Sequence, residues 1–594
     1  MNGTMTHLVR QASVRPPPDA PDRIDELLPS WSHDGKRLAV LEWGRNATER
    51  LHVPLPYRAD AEVTMETLPE LSQLISDLTN PAAYPDPVTS VTVVQTHISC
   101  VFLTGEYAYK VKKPVDLGFL DYHTLEQRRY LCGEEIRLNR RLCPDLYLDA
   151  VPITRQCNGL RIGGTGPPIE WAVKMRQLRT AEMLSSRLEV ETVDSDEIRR
   201  IATVLAEFHT RAGTNLEIRE WGSHAVVART VYNALRLMDE LGVDLIPSKA
   251  RASIRKRLKS LLYSERALLS QRLNHGCVRD CHGDLRTQNI CLDDRFDGGI
   301  QVFDCIEFNE ELRYIDVAAD LAYLTMDLDL AGRADLRAML VDAYSLARND
   351  DGLRRTLEFY RIYRALVRGN IALLAAGEAE VPAPQRATQL DIAAAAYDLA
   401  RCYAHKRARP ALLITTGFSG SGKSWLAREV GRRIPAVVIA SDSIRKAMAG
   451  LAPSVRLPEV WYAAAKQSAV YSELYRQASD HLARGEHVLL DATFLSNRER
   501  ADAAELARLH AADFWTLECT CPDAIIRRRL EQRANTSSSS SDAGVHVYEQ
   551  QRREHPDLRL HVDSPYTWRH LIVNTEQPAG EAARTVVDRF TETG

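Results

Sequence analysis

From residue 411 onward, short apolar runs alternate with amphipathic helical stretches. ALLITT, AVVIAS, HVLLDAT, FWTLECT and HLIVNT read as buried strands, and the alternation predicts a parallel sheet with helices on both faces. Upstream the period changes. VTSVTVVQTHISCVFLTGEYAYKVKKPV (88–115) alternates β-branched and aromatic residues with polar ones and predicts two or three antiparallel strands. Helical spacing marks LPELSQLISDL (68–78), which the prolines of PAAYPDP end. CGEEIRLNRRL is predicted to open a second helix. IRRIATVLAEFHTRAG (198–213) is an amphipathic helix with His209 near its end, where a structural role is expected. EWAVKMRQL (170–178) reads as a buried strand running into a helix, and two long helical patterns, 353–379 and 387–410, are broken by Pro382 and Pro384. Residues 1–65 carry little pattern: Pro16-Pro17-Pro18 and DAPDRID suggest a flexible arm, and LAVLEW a short strand. The Ser537–Ser541 run is too polar to pack and predicts a mobile loop tip.

Composition narrows the class. The 594 residues allow up to four units at about 150 residues each. With 45% apolar and 26% charged residues the chain is globular, and a net charge of −4 with a pI near 6.5 gives no electrostatic footprint for a nucleic-acid backbone. Nucleic acid is therefore not an expected partner. The eleven cysteines form no zinc-ligand framework, since Cys519 and Cys521 have neither a second pair nor a nearby His, and reduced thiols are expected. MNGTMTHLVRQASV lacks an apolar signal core, and no apolar run approaches the ~18 residues of a membrane span. A cytoplasmic protein with no membrane partner is expected.

The sharpest local signal is Gly417-Phe-Ser-Gly-Ser-Gly-Lys423-Ser424, set between the first strand of the alternating region and the helical WLAREVGRRI. That strand–loop–helix context is what a phosphate-binding G-x-x-x-x-G-K-[ST] motif requires. Glycines let successive N–H groups face one concavity, and the helix N-terminus adds partial positive charge. Gly417, Ser419, Gly420, Ser421 and Gly422 would cradle the phosphates, Lys423 neutralise them, and Ser424 ligate Mg²⁺. Asp442 and Asp491 end the second and third strands, at the edge where such sheets bind ligands. Asp491 reads as the carboxylate that orders Mg²⁺. Asp442 reads as an acceptor-side base with Arg445 steering the acceptor, or as a helix N-cap.

A second cluster lies upstream. His282-Gly283-Asp284 with Asn289, then an apolar strand ending in Asp304, matches the phosphotransfer pattern of protein-kinase-like enzymes. Asp284 would accept the proton of an attacking hydroxyl, and Asn289 and Asp304 would hold Mg²⁺. Lys110 is either the strand lysine that reaches the α/β-phosphates or, with Lys112 and Lys113, a solvated basic strand end. Of the two glutamates downstream, Glu134 is preferred to Glu135 as its orienting partner, because Leu138 follows it at i+4.

With these motifs in view, residues 85–400 resemble the aminoglycoside phosphotransferase-like kinases, with LAEFH, CHGDLRTQN, VFDCIEF and YIDVAADLAYL in order. The THISCVFLTG…AYKVKKPV opening is similar to a bifunctional branch fused to a P-loop ATP-binding domain of AAA type. The resemblance implies a two-lobed kinase fold, Asp284 as base, and Asp316 or Asp320 steadying the catalytic loop. The sequence departs from the pattern in lacking a Gly-rich loop before Lys110, which leaves Thr96 to Ser99 to cover the nucleotide. It also carries Arg286 where many relatives have a second histidine, and no aminoglycoside specificity is carried over. The later half resembles zeta-toxin-like, gluconate-kinase-like and polynucleotide-kinase-like enzymes. CPDAIIRRRLEQRANTSSSSSDAGVHVYEQQRREHP (521–556) is similar to their lid, in which Arg529 and Arg533 would close on the transferring phosphoryl or would form a solvated basic face.

The expectation is thus an extension (1–65), an α+β two-lobed kinase-like domain (66–405) and an adenylate-kinase-like α/β P-loop domain (406–594). Each would use ATP and Mg²⁺ to phosphorylate hydroxyls of small-molecule acceptors. Two alternatives stay open: a regulatory pseudokinase in the first half, and an ATP-hydrolysing switch in the second. The oligomeric state is not legible.

Overall fold

The computed structural model describes residues 68–592, except 97, 117–119, 158, 378–380, 452–454, 456, 535–543 and 556–567, together with Ser30–Trp31 and Leu38–Ala39. The latter two pair as short antiparallel strands, and Leu38–Ala39 falls within the expected LAVLEW strand. The flexible arm and the Ser537–Ser541 loop tip lie outside the described residues.

The first part begins with α1 (Leu68–Leu78), then β1 (Thr92–Gln95), β2 (Ser99–Leu103) and β3 (Tyr107–Lys112). α2 (Leu125–Asn139) follows, then β4 (Tyr147–Gln156), β5 (Gly159–Ile162) and β6 (Pro168–Arg176). The strands form one antiparallel sheet in the order β1-β2-β3-β6-β4-β5. The two-residue strand period sends Tyr109 and Val111 into one core with Leu78, Tyr84 and Phe102, and leaves Lys110 and Lys112 together on the other face, toward α2. Two local expectations change. CGEEIRLNRRL does not open α2, which starts two turns earlier where Thr124 caps the Gln127 N–H at 3.1 Å. β6 does not run into a helix, because Gln177 N–H turns back to the Glu106 carbonyl at 2.8 Å.

Downstream, α3 (Ser195–Arg211) is opened by an Asp194/Glu197 capping box. Two small antiparallel ribbons carry the motif loops: β7 (Val278–Asp280) pairs with β10 (Tyr314–Asp316), and β8 (Ile290–Leu292) with β9 (Ile300–Val302). Helices α4 (Val317–Leu330), α5 (Leu353–Gly377) and α6 (Ala383–Ala404) pack beneath them in a core that includes Leu205, Leu321, Leu366 and Leu399.

The last part is a five-stranded parallel sheet. β11 (Ala411–Thr416) leads into α7 (Lys423–Gly431), β12 (Ala436–Ala440) into α8 (Ser441–Met448), and then come β13 (His487–Asp491) and β14 (Asp513–Thr520). α9 (Asp523–Ala534) and α10 (Val545–Glu554) precede β15 (Trp568–Asn574) and α11 (Ala579–Glu592). The order is β12-β13-β11-β14-β15, and every pair is parallel, as the alternating pattern predicts. The kinase-like and P-loop parts share one compact unit. Arg432 Nε donates to the Leu330 carbonyl at 3.2 Å, at the end of α4. The fully buried Arg433 donates to Asp391 of α6 at 2.6 Å. All eleven cysteines are free thiols, and among the described residues no helix is long and apolar enough to cross a membrane.

One joint of this sheet is acid-sensitive. The Ala411 N–H donates to His487 Nδ1 at 3.0 Å, which requires an unprotonated nitrogen. Burial, reinforced by Arg407 and Arg337, lowers the His487 pKa from 6.5 to about 4. A depressed folded-state pKa means this stability is fully present above 6.5 and is lost progressively as pH falls from 6.5 to about 4. Urea midpoints at pH 7 and pH 5 should therefore drop more for the wild type than for His487→Gln, which does not titrate.

Candidate functional site

Two clusters of chemistry-bearing side chains emerge, one in each part. In the first, Lys110 Nζ lies 2.9 Å from Glu135 Oε1 and 2.6 Å from Asp304 Oδ1. The glutamate is Glu135 and not Glu134, which corrects the sequence reading. The buried face of α2 runs through Leu131, Cys132, Glu135, Leu138 and Asn139, whereas Glu134 turns outward and pairs with Arg137 at 2.7 Å. Burial alone would lower the Lys110 pKa, but the carboxylates of Asp304 and Glu135 outweigh it and raise it well above the ordinary value.

Lys112, two residues along the same strand face, completes a network that sequence reasoning left unassigned. Its ammonium donates to the second oxygen of Glu135 at 2.6 Å, to Tyr122 Oη at 3.3 Å, and to Glu307. Lys112, Glu135 and Glu307 are all buried. The available signals were the i, i+2 spacing of the two lysines and a glutamate three residues beyond Asp304.

The loop after β7 holds Asp284. Asp320 accepts the N–H groups of His282 and Gly283, each at 2.9 Å, and His209 Nε2 lies 3.1 Å from the same carboxylate. His209 Nδ1 is in turn 2.6 Å from Tyr344 Oη, so His209 is structural as expected, though as a buried relay. Burial would raise the Asp320 pKa; His209 and His282 outweigh that and bring it down to about 2. Asp320 therefore steadies the loop, while Asp316 caps α4 and takes the Arg272 fork at 2.7 and 2.8 Å. Asp284 is clasped by Arg286 Nε and Nη2, both at 2.8 Å, and by Asn289 Nδ2 at 3.0 Å. Burial would raise its pKa, and the Arg286 charge outweighs it and lowers it. Asp304 adopts φ +63°, a left-handed conformation rare for a non-glycine residue and typical of strain held at functional sites. The β1–β2 turn closes on itself, with Thr96 N–H donating to the Ser99 carbonyl at 2.9 Å; His97 lies outside the described residues.

In the second cluster, the loop from Gly417 to Gly422 joins β11 to α7, with φ of +138°, +83° and +91° at Gly417, Gly420 and Gly422. A Cβ on Gly420 would lie 2.9 Å from Ile526 and Leu530 of α9, and one on Gly422 would lie 2.9 Å from Thr575. Gln551 of α10 accepts the Ser419 N–H at 2.8 Å, so both α9 and α10 rest on the loop. Lys423 donates to the Phe418 carbonyl at 2.9 Å, and burial lowers its pKa, with the Asp491 charge opposing the shift. Burial raises the pKa of Asp491 against hydrogen bonds from Ser424 and Thr415. Asp442 is not an N-cap: Ala440 occupies that position and Asp442 pairs with Arg445 inside the first turn of α8. Arg529 and Arg533 do not share a solvated face. Arg529 donates to the Thr575 carbonyl at 2.7 Å, both arginines are half-buried, and burial lowers the Arg533 pKa with the Asp442 charge opposing.

These residues fit a nucleoside triphosphate and Mg²⁺. The loop keeps a buried Ser421 hydroxyl without a partner among the described residues, an amine satisfied by one backbone carbonyl, and an acidic group beside Ser424. The first cluster offers Asn289 and Asp304 beside a lysine already oriented toward them. An open cavity of about 640 Å³, lined by Arg179, Glu182, Arg187 and Asp293, contains none of the residues assigned above.

The fold and clusters define a kinase-like part followed by a P-loop part, and the matching family models agree. Residues 179–360 match the model of the phosphotransferase enzyme family, and residues 412–558 that of an AAA domain. The chain is 31% identical over 462 residues to the uncharacterized protein Rv2004c of Mycobacterium tuberculosis, covering 77% of this chain and 89% of that protein. Among solved structures, the GDP complex of aminoglycoside 2'-phosphotransferase-IIIa covers 56% of this chain and 99% of its own, at 13% identity and a TM-score of 0.34. The Mycobacterium tuberculosis APS kinase CysC covers 31% and 98%, at 20% identity and a TM-score of 0.22. The chain belongs to the family of Rv2004c, and in this chain the phosphotransferase-family match precedes the AAA-domain match.

The two glutamates of α2 should separate cleanly in unfolding experiments. Glu135→Gln leaves two buried lysines short of a carboxylate and should cost about 3–5 kcal/mol in urea unfolding. Glu134→Gln removes an exposed pair and should cost less than about 1 kcal/mol.

Proposed function

We propose that the chain is a tandem ATP-dependent phosphotransferase that transfers the γ-phosphate to hydroxyls of small-molecule acceptors, with the division between its halves at residues 405/406 and a cytoplasmic location. The observation that carries this reading is the pairing of Lys110 with Asp304 and of Asn289 with Asp284 on loops that His282 Nε2 joins to the Phe303 carbonyl in one half, and in the other the placement of Lys423, Asp442 and Asp491 at or just beyond the carboxyl ends of the neighbouring parallel strands β11, β12 and β13. Each half then has a lysine for phosphates and an acceptor-side aspartate.

In the first half Lys110, oriented by Glu135, would hold the α/β-phosphates, and Asp284 would take the acceptor's proton. In the second, the loop N–H groups and Lys423 would hold the phosphates, Asp442 with Arg445 would receive the acceptor, and Arg533 would close over it. Asn289 and Asp304, or Ser424 and Asp491, would hold Mg²⁺, which would supply charge neutralisation at the phosphates. Transfer in both would depend on positioning and electrostatics rather than on a covalent enzyme intermediate.

A regulatory first half is the second reading, favoured by the Arg286 clasp on Asp284 and by the glycine-free Thr96–Ser99 turn. Transfer of labelled γ-phosphate from ATP into a pool of polar metabolites separates the two. Asp284→Ala and Lys423→Ala should each abolish a different labelled product. If only Lys423→Ala matters, the first half regulates; if both variants leave free phosphate as the sole product, neither half is a kinase.

A further inference from the structure

The acceptor side of the first site carries more guanidinium than its carboxylates can answer. Arg286 occupies both oxygens of Asp284, at 2.8 Å each, while its guanidinium lies 5.6 Å from the centre of the Tyr323 ring. Arg364 lies against the same ring at 4.8 Å. Arg364 is buried, and neither it nor Arg368, one turn further along α5, meets a carboxylate among the described residues. The Arg368 Nε is buried without a hydrogen-bond partner, and so is the Tyr323 hydroxyl, on a residue only 2% exposed. Asp327 is the other nearby acid, and it is engaged by the N–H and hydroxyl of Thr287, at 2.9 and 2.5 Å. Arg286 and Arg364 thus flank the orphaned Tyr323 phenol, Arg364 Nε donates to the Ala319 carbonyl at 3.0 Å, and Arg368 follows one turn along the same helix, while both nearby carboxylates are already taken.

A carboxylate clasped on both oxygens is not available to receive a proton. A guanidinium fork, however, exchanges one oxyanion that offers two oxygens for another with little reorganisation. We propose that the acceptor of the first site is an anionic hydroxyl compound, whose phosphate or carboxylate group draws Arg286 away from Asp284 and is completed by Arg364, Arg368 and the Tyr323 hydroxyl. The inference rests on the kinase reading of that site. With Arg286 withdrawn, the acceptor hydroxyl oxygen bonds to the γ-phosphorus of ATP, the bond from that phosphorus to the ADP oxygen breaks, and the hydroxyl proton passes to Asp284. The anion thereby switches on the base that it needs, and a neutral or polycationic acceptor leaves it clasped.

The test uses the full-length chain carrying Lys423→Ala, so that the second site is silent. Matched probes are glycerol, glycerol 3-phosphate and glycerate, then glucose, glucose 6-phosphate and gluconate, then a cationic aminoglycoside. Calorimetric titration into the ADP-loaded protein reads binding, and ADP formation from ATP reads turnover. The phosphate or carboxylate members should bind and turn over while neutral and cationic ones do not, and which anionic arm responds identifies the oxyanion. Arg286→Gln and Arg368→Gln should each raise KM for that arm by about tenfold or more, with the smaller effect on kcat. Arg368 is only partly buried, so its variant keeps the test valid if Arg286→Gln folds poorly. Arginine-dependent binding of an anion without turnover leaves the anion seat standing and overturns the kinase reading. Asp284-dependent turnover of neutral or cationic probes, with anions neither bound nor inhibitory, overturns the anion proposal alone. Failure of every anionic probe to bind also overturns it.

Discussion

The first half is organised around a single carboxylate shared by two ammonium groups. Glu135 gives one oxygen to Lys110 and the other to Lys112, and all three are withdrawn from bulk solvent. Burying any one of these charges unpaired would cost several kcal/mol, so each tolerates the interior only because the others are there. Glu307 and Tyr122 extend the network across to the segment that follows Asp304. The sheet, α2 and the β9 region are consequently held in one arrangement before any nucleotide arrives. In a fold where a helix glutamate can swing in or out, a second lysine on the same strand face removes that freedom.

Much of the architecture was legible because it rests on period. The five strands of the last part and the hairpins before Lys110 follow from alternation alone, and the phosphate loop from glycine spacing flanked by a strand and a helix. What was not legible depended on rotation and on distance along the chain. Glu134 and Glu135 differ by one 100° step of α2, and choosing between them needs the whole buried face, of which Leu138 is only one member. The partnership of Lys112 with Glu307 joins residues 195 positions apart. Asp316 and Asp320 both looked able to steady the catalytic loop, and only the fold turns Asp316 toward Arg272. The same holds for Asp442, whose place near the start of α8 suggested a cap until Ala440 was found to begin the helix.

The two clusters are built in opposite ways. The second relies on backbone: positive-φ glycines, the start of α7, and a lysine resting on a carbonyl. The first relies on side-chain charge, with Lys110 already neutralised by Glu135 and Asp304 and with Asp284 neutralised by Arg286. Ion pairs already occupy the charged groups of the first cluster, whereas in the second the glycine-lined concavity is formed and α9 and α10 lie against it.

The seam between the parts bears on how the chain behaves as an object. α4 begins beside the loop that carries Asp284, α7 begins at the phosphate loop, and the two helices run toward each other until Arg432 reaches the last carbonyl of α4. Their negative ends meet there, and Arg432 and Arg433 supply the opposing charge. Separating the two parts would strip Arg433, fully buried at this seam, of its Asp391 partner. The parts are therefore joined by more than the chain that links them, since α4 and α6 of the first meet α7 of the second through backbone and buried ionic contacts.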